Sequence, residues 1–286
     1  MAAARPLFGD RLASLVESKR SQLVVGLDPR VDLLPVEVRD DVARFCCGIV
    51  DAVAPYAVAV KPQLAFFEAL GQGGSHALGE VCAYARRAGL LVIADGKRGD
   101  VGSTARAYAA AYLEGIEPIA DALTVNPWLG RESIEPYLAA ARRNGAGVFC
   151  VVKTSNAGGD VQDVTLLDGR AMWQHVAGLV AEWGEDLVGE HGLSSVGAVI
   201  GATHPRAVVE ARRLMPRAPI LLPGVGAQGG ETSELTPAFA SGPASALVSA
   251  SRSIIYASRE AGGDFRSAAG AEAARLQADT WAISGW

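Results

Sequence analysis

Eight short apolar runs recur along the chain, at residues 23–27, 56–61, 90–94, 122–125, 147–153, 196–201, 219–222 and 245–249, each ending in polar, Gly or Pro punctuation. Between them lie stretches whose apolar residues have helical spacing, at 38–53, 77–88, 104–113, 133–143, 171–190 and 206–215. A strand reached through a crossover helix lies parallel to its predecessor, and a parallel sheet is covered on both faces. The runs are therefore apolar throughout instead of alternating. Eight such units in 286 residues predict a closed (β/α)8 barrel, a single α/β domain, in preference to an open doubly wound sheet. A helix before the first strand, a Gly- and Asp-rich insertion at 156–169 and an alanine-rich closing helix at 267–278 complete the expected domain, 1–286.

Composition narrows the function classes. A net charge of −5 offers no basic face for nucleic acid. No apolar run approaches the ~18 residues of a membrane span. Residues 1–10 lack the charged start and apolar stretch of a secretory signal, so a cytoplasmic location is expected. Cys46, Cys47, Cys82 and Cys150 form no CxxC pair and read as reduced thiols of the core. His76, His175, His191 and His204 lack the spacing that places two imidazoles on one ion, so no protein-bound metal is expected.

The choice of basic residue says more. Only four of the 26 are lysines, namely Lys19, Lys61, Lys97 and Lys153. A chain that uses arginine wherever any positive charge will serve keeps lysine where a compact, titratable amine is required. Lys19, in the polar stretch Glu17-Ser18-Lys19-Arg20, reads as a solvated side chain. The other three fall at predicted strand ends, on the face where barrels carry their chemistry.

The third run ends in Asp95-x-Lys97-x-x-Asp100. On an extended strand Asp95 and Lys97 project to one side, and Asp100 follows at the turn into the next helix. With Lys61 from the neighbouring strand, two carboxylates and two ammonium groups would alternate. Such an array fixes a lysine as an ammonium ion and aims it where negative charge develops. The alternative is an ordinary salt-bridged strand end, with Asp100 capping the helix.

Gly224-Val225-Gly226-Ala227-Gln228-Gly229 satisfies GxGxxG, but no acidic residue follows at the spacing of a dinucleotide site. After the seventh strand of a barrel, the backbone N–H groups of such a loop suit a phosphate, with Arg252 after the eighth run offering a guanidinium fork. A plain turn and a solvated arginine are the alternative. Asp28-Pro29-Arg30 suits a substrate hydroxyl or a turn equally, and Thr203-His204-Pro205 reads as a helix N-cap. Lys153 is left between a site role and a local ion pair.

Val25-Gly26-Leu27-Asp28-Pro29-Arg30, Val60-Lys61-Pro62-Gln63 with Phe66-Phe67-Glu68, Asp95-Gly96-Lys97-Arg98-Gly99-Asp100 with Gly102-Ser103-Thr104, Pro223-Gly224-Val225-Gly226-Ala227-Gln228-Gly229-Gly230, and Arg252-Ser253-Ile254 occur in that order. Together they resemble the orotidine 5′-phosphate decarboxylase family, in its longer bacterial type. The resemblance implies a homodimeric barrel that converts orotidine 5′-monophosphate to UMP and CO2 in pyrimidine biosynthesis, with neither metal nor organic cofactor. It implies Lys97 as proton donor to C6, Asp95 beside the departing carboxylate, and Lys61 on the ribose and bridging the carboxylates. By the same resemblance Asp100 and Thr104 come from the partner subunit and Asp28 binds ribose. Ser155 meets the pyrimidine, and Gln228 and Arg252, with the loop around Gly226, hold phosphate. Ser251 departs from the glycine of the family pattern. The rival readings are a Mg2+-dependent sugar-phosphate decarboxylase or aldolase of a related barrel, and a catalytically silent barrel that binds a phosphate ligand.

Overall fold

Successive residues of a strand face opposite sides of the sheet, and in this chain both sides are apolar. Val24, Ala59, Leu91, Ile93, Ala122, Phe149, Val199, Leu221 and Leu247 form one buried cluster, while their neighbours Val25, Val60, Val92, Leu123, Val148, Ala198, Leu222 and Val248 belong to another. The first fills the inside of a barrel and the second packs outward against helices. In the computed structural model, which describes residues 5–224 and 232–286, eight parallel strands pair in chain order and the first closes on the last. They are β1 (Leu23–Leu27), β2 (Ala59–Pro62), β3 (Leu91–Arg98), β4 (Ala122–Val125), β5 (Gly147–Lys153), β6 (Val196–Ile200), β7 (Ile220–Pro223) and β8 (Ala246–Ala250). Closure pairs Leu23, Val24 and Val25 with Val248, Ser249 and Ala250. All eight coincide with runs read from the sequence, although β2 starts later and β3 runs on to Arg98.

The helix α1 (Phe8–Lys19) closes the N-terminal end of the barrel. Its Phe8, Leu12 and Val16 join the inner cluster, and the Phe8 ring meets Phe149 edge-on at 5.8 Å. Only glycine fits at 147, because a Cβ there would lie 2.7 Å from the Phe8 ring. Lys19 corrects its reading as a solvated side chain. Its Nζ donates to the carbonyls of Ala54 and Ala57, each at 2.9 Å, which ties α1 to the turn before β2.

The outer layer comprises α2 (Val42–Val53), α3 (Leu64–Glu68), α4 (Gly71–Arg87), α5 (Gly102–Leu113), α6 (Arg131–Asn144), α7 (Met172–Trp183), α8 (Pro205–Leu214), the short α9 (Arg252–Ile255) and α10 (Ser258–Ala261), and α11 (Phe265–Ser284). The helix expected at 171–190 stops at Trp183 with Gly184 as its C-cap, a position that admits no side chain, since a Cβ there would lie 2.4 Å from Ser194 Oγ. The closing helix is longer than expected and packs on α2, with Phe265 5.3 Å from Phe45. Thr203 does not cap α8. The N-cap position falls one residue later, on His204, whose Nε2 lies 3.0 Å from Thr154 O, and the Thr203 hydroxyl is buried without a partner among the described residues.

Arg212 of α8 is buried, and its guanidinium donates to the carbonyls of Met215 at 2.8 Å, Ala218 at 2.9 Å, Ala238 at 3.0 Å and Ser245 at 2.5 Å. Residues 156–169 are not a bare loop but hold a 3-10 turn, Ala157–Asp163. All four cysteines are free, and burial pushes the Cys82 and Cys150 thiols up to about 12. Among the described residues no helix is long and apolar enough to cross a membrane.

Candidate active site

Three inward-facing series that are apolar through the depth of the barrel turn polar at its C-terminal end. Leu91 and Ile93 lead to Asp95, Ala59 leads to Lys61, and Ala122 leads to Thr124. The three polar ends meet at Asp95. Lys61 Nζ donates to its Oδ2 at 2.7 Å and Lys97 Nζ to its Oδ1 at 2.6 Å, while Thr124 Oγ1 donates to Oδ1 at 2.9 Å and Gln63 Nε2 to Oδ2 at 3.3 Å. Lys97 reaches Asp95 by a route the pleat does not supply. Its φ of 46° lies in the left-handed region, and the ladder to β4 slips between Ala94 and Arg98. The turn is held by the Lys97 N–H donating to Thr124 Oγ1 at 2.9 Å. The Lys61 side chain is 8% exposed and that of Lys97 47%, so Lys97 is the ammonium that faces the opening.

Burial opposes the charged forms of Asp95 and Lys61, and their ion pairs outweigh it. Lys61 and Lys97 hold the Asp95 carboxyl well below the usual carboxylate range. Asp95 and Asp28 in turn hold the Lys61 ammonium above its ordinary value.

The other expected residues divide into three groups. Asp28 follows β1 with one carboxylate oxygen buried and without a partner among the described residues, while its carbonyl accepts from Tyr256 Oη at 2.8 Å. Tyr256 Oη also accepts from the Arg30 N–H at 2.7 Å, so Asp28-Pro29-Arg30 is a pinned turn as well as a candidate contact. Ser155 is exposed just beyond β5, and Arg252, also exposed, begins α9. Among the described residues neither Asp100 nor Thr104 hydrogen-bonds to Asp95. Asp100 accepts the N–H of its neighbour Val101 at 2.8 Å, and α5 has no side-chain cap, which removes the capping alternative. Gly226 and Gln228 lie outside the described residues.

Lys153 forms a local ion pair, 2.6 Å from each carboxylate oxygen of Asp163. Thr124 and Asp163 were not singled out from the sequence. Thr124 carries a legible signal, a polar residue on the inward side at the end of an apolar strand. Asp163 carries none, because its partner is set by how the insertion folds. Among the described residues no three His, Cys, Asp or Glu side chains gather as metal ligands.

Fold and site together define a parallel (β/α)8 barrel with a lysine–aspartate centre at its C-terminal end. The chain belongs to the orotidine 5′-phosphate decarboxylase / HUMPS family, whose model matches residues 21–262. It is 45% identical over 267 residues to the orotidine 5′-phosphate decarboxylase of Rhodopirellula baltica, covering 87% of this chain and 88% of that one. With the enzyme of the same name from Deinococcus radiodurans it shares 48% over 255 residues, 88% and 90% of the two chains. The solved structure of Leishmania donovani OMP decarboxylase aligns with a TM-score of 0.76 at 31% identity, over 96% of this chain and 97% of that one.

Proposed function

We propose that this protein decarboxylates orotidine 5′-monophosphate to UMP and CO2. The observation that carries the reading is Asp95 held between two ammonium groups, one buried and one facing the opening. When the C6–carboxylate bond breaks, its electron pair stays on C6 in the plane of the ring, where the π system cannot delocalise it. A neighbouring ammonium supplies both opposite charge and the proton that replaces CO2. Lys97 takes this role, because a guanidinium does not readily release a proton. Asp95 stands beside the departing carboxylate, and Lys61 fixes Asp95 and contacts the ribose.

Asp28 binds a ribose hydroxyl with its unpartnered oxygen, and Ser155 meets the pyrimidine. Arg252, with Gly226 and Gln228, grips the phosphate, whose binding energy orients the ring remote from it. Both Asp95 oxygens already accept from ammonium groups, so a divalent cation there would face two positive charges. This supports a reaction that needs no metal at Asp95, and we read it as needing no organic cofactor. Val101, between Asp100 and Thr104 in the connection after β3, and Trp128 and Leu129 in the connection after β4 are exposed apolar side chains. A second copy covering them would carry Asp100 and Thr104 into the neighbouring site, and we read the enzyme as a cytoplasmic homodimer that does not bind nucleic acid.

The test is the ultraviolet absorbance of orotidine 5′-monophosphate mixed with purified protein, alongside CO2 release. The expected result is loss of the orotate signal with one CO2 per UMP, unchanged after dialysis against EDTA. No turnover overturns the reading, and turnover of a sugar phosphate that appears only with Mg2+ assigns the chain to the rival group.

A further inference from the structure

Three lysines stand at strand ends, and the decarboxylation chemistry employs two. The third, Lys153, closes β5 and is 5% exposed, yet its Asp163 partner has a side chain 56% exposed. A buried ammonium is stable only when paired, so the chain after β5 must return to Lys153, and a loop this short closes at small entropic cost. A second clamp lies beside the pair. The Thr154 N–H donates to Gln162 Oε1 at 2.8 Å, and Gln162 Nε2 donates to Thr154 Oγ1 at 2.9 Å.

The same strand end is held from its other side. The Gly201 N–H donates to Lys153 O at 2.9 Å, and His204 Nε2 lies 3.0 Å from Thr154 O. Ser155 is the next residue and has little room toward β6, since a Cβ on Gly201 would lie 2.9 Å from Ser155 Cβ and 3.1 Å from its nitrogen. The β5–β6 ladder slips between Val151 and Lys153, so regular sheet pairing does not set the direction in which the chain leaves the strand. The clamps do.

We infer that Lys153 is a positioning residue: through Asp163 it draws the turn Ala157–Asp163 back onto the end of β5 and so sets where Ser155 stands at the mouth of the barrel. The inference rests on the proposed function, which gives Ser155 the pyrimidine. Lys153 acts through Ser155, whereas Lys97 acts on the reacting carbon.

Steady-state kinetics with orotidine 5′-monophosphate test this in wild type, Asp163→Asn, Asp163→Glu, Gln162→Ala, Ser155→Ala and the Asp163→Asn/Ser155→Ala double variant. Asp163→Asn leaves the buried Lys153 ammonium without its carboxylate, so circular dichroism checks that the barrel stays folded, and Gln162→Ala loosens the same turn with the ion pair intact. Asp163→Asn and Gln162→Ala should lower kcat/KM by about ten- to a hundredfold, with KM raised more than kcat is lowered. Asp163→Glu should recover most of the loss. In the Ser155→Ala background Asp163→Asn should cost less than about threefold more, because the residue it positions is gone. Values for Asp163→Asn and Gln162→Ala within twofold of an active wild type overturn the inference alone, as does a loss that multiplies in full with that of Ser155→Ala. A wild type without turnover overturns the functional reading, and the inference with it.

Discussion

Replacing Lys97 with glycine and, separately, with alanine distinguishes its chemical role from its backbone cost. Each change removes the ammonium and its 2.6 Å contact with Asp95, so turnover should fall by several powers of ten in both. Stability should separate them. At φ 46° an L-residue crowds its own carbonyl, which costs about 1–2 kcal/mol that glycine does not incur. Against this, glycine loses about 0.5–1 kcal/mol more conformational entropy on folding. The net expectation is that Lys97→Gly is more stable than Lys97→Ala by roughly 0.5–1 kcal/mol, a rise of about 1–3 °C in Tm for a chain of this size. The lost ion pair is common to both variants and cancels. Thermal and urea unfolding at matched protein concentration measure the difference. An alanine variant as stable as the glycine variant would refute the strain argument, and near-normal turnover in either would refute the role of Lys97.

Asp95→Asn leaves Lys61 buried without its carboxylate and should cost about 3–5 kcal/mol in urea unfolding at pH 7. Because the folded Asp95 carboxyl titrates below its unfolded value near ~3.9, its contribution is complete above that pH and fades as pH falls, so the gap between wild type and variant should narrow below about pH 4. A gap constant down to pH 3 would contradict the depressed carboxyl. Arg252→Ala should lower kcat/KM for orotidine 5′-monophosphate by some powers of ten and leave turnover of orotidine, which has no phosphate, unchanged; equal losses on the two substrates would remove Arg252 from the phosphate. Co-refolding Lys97→Ala with Asp100→Ala chains should restore about a quarter of wild-type activity, because about half the dimers are mixed and each of those has one intact site. Mixed dimers that stay inactive would place Asp100 outside the neighbouring site.

The strands were legible because burial on both faces leaves no polar interruption, and that pattern survives whatever the helices do. Lys61, Asp95 and Lys97 were legible for a related reason, as charges following apolar runs in a chain sparing with lysine. Lys19 misled because the carbonyls it binds, those of Ala54 and Ala57, are far away in sequence. The left-handed turn at Lys97 had no local mark, since glycine or asparagine ordinarily announces that conformation. Asp100 was legible as a charge, but the helix cap it offered is not made, because the N-cap position of α5 falls on Val101.

Arg212 has a consequence for the strands that lead to the proposed phosphate grip. Its acceptors lie ahead of two neighbouring strands, Met215 and Ala218 ahead of β7 and Ala238 and Ser245 ahead of β8. One guanidinium therefore ties together the entries to β7 and β8 at the N-terminal end of the barrel, opposite the end at which the proposed grip would form. Burial lowers its pKa only to about 10, so the charge persists at neutral pH. The two strands thus start from a common anchor, so a phosphate bound beyond β7 would meet strands whose relative placement is already set, and less of its binding energy would go into ordering them.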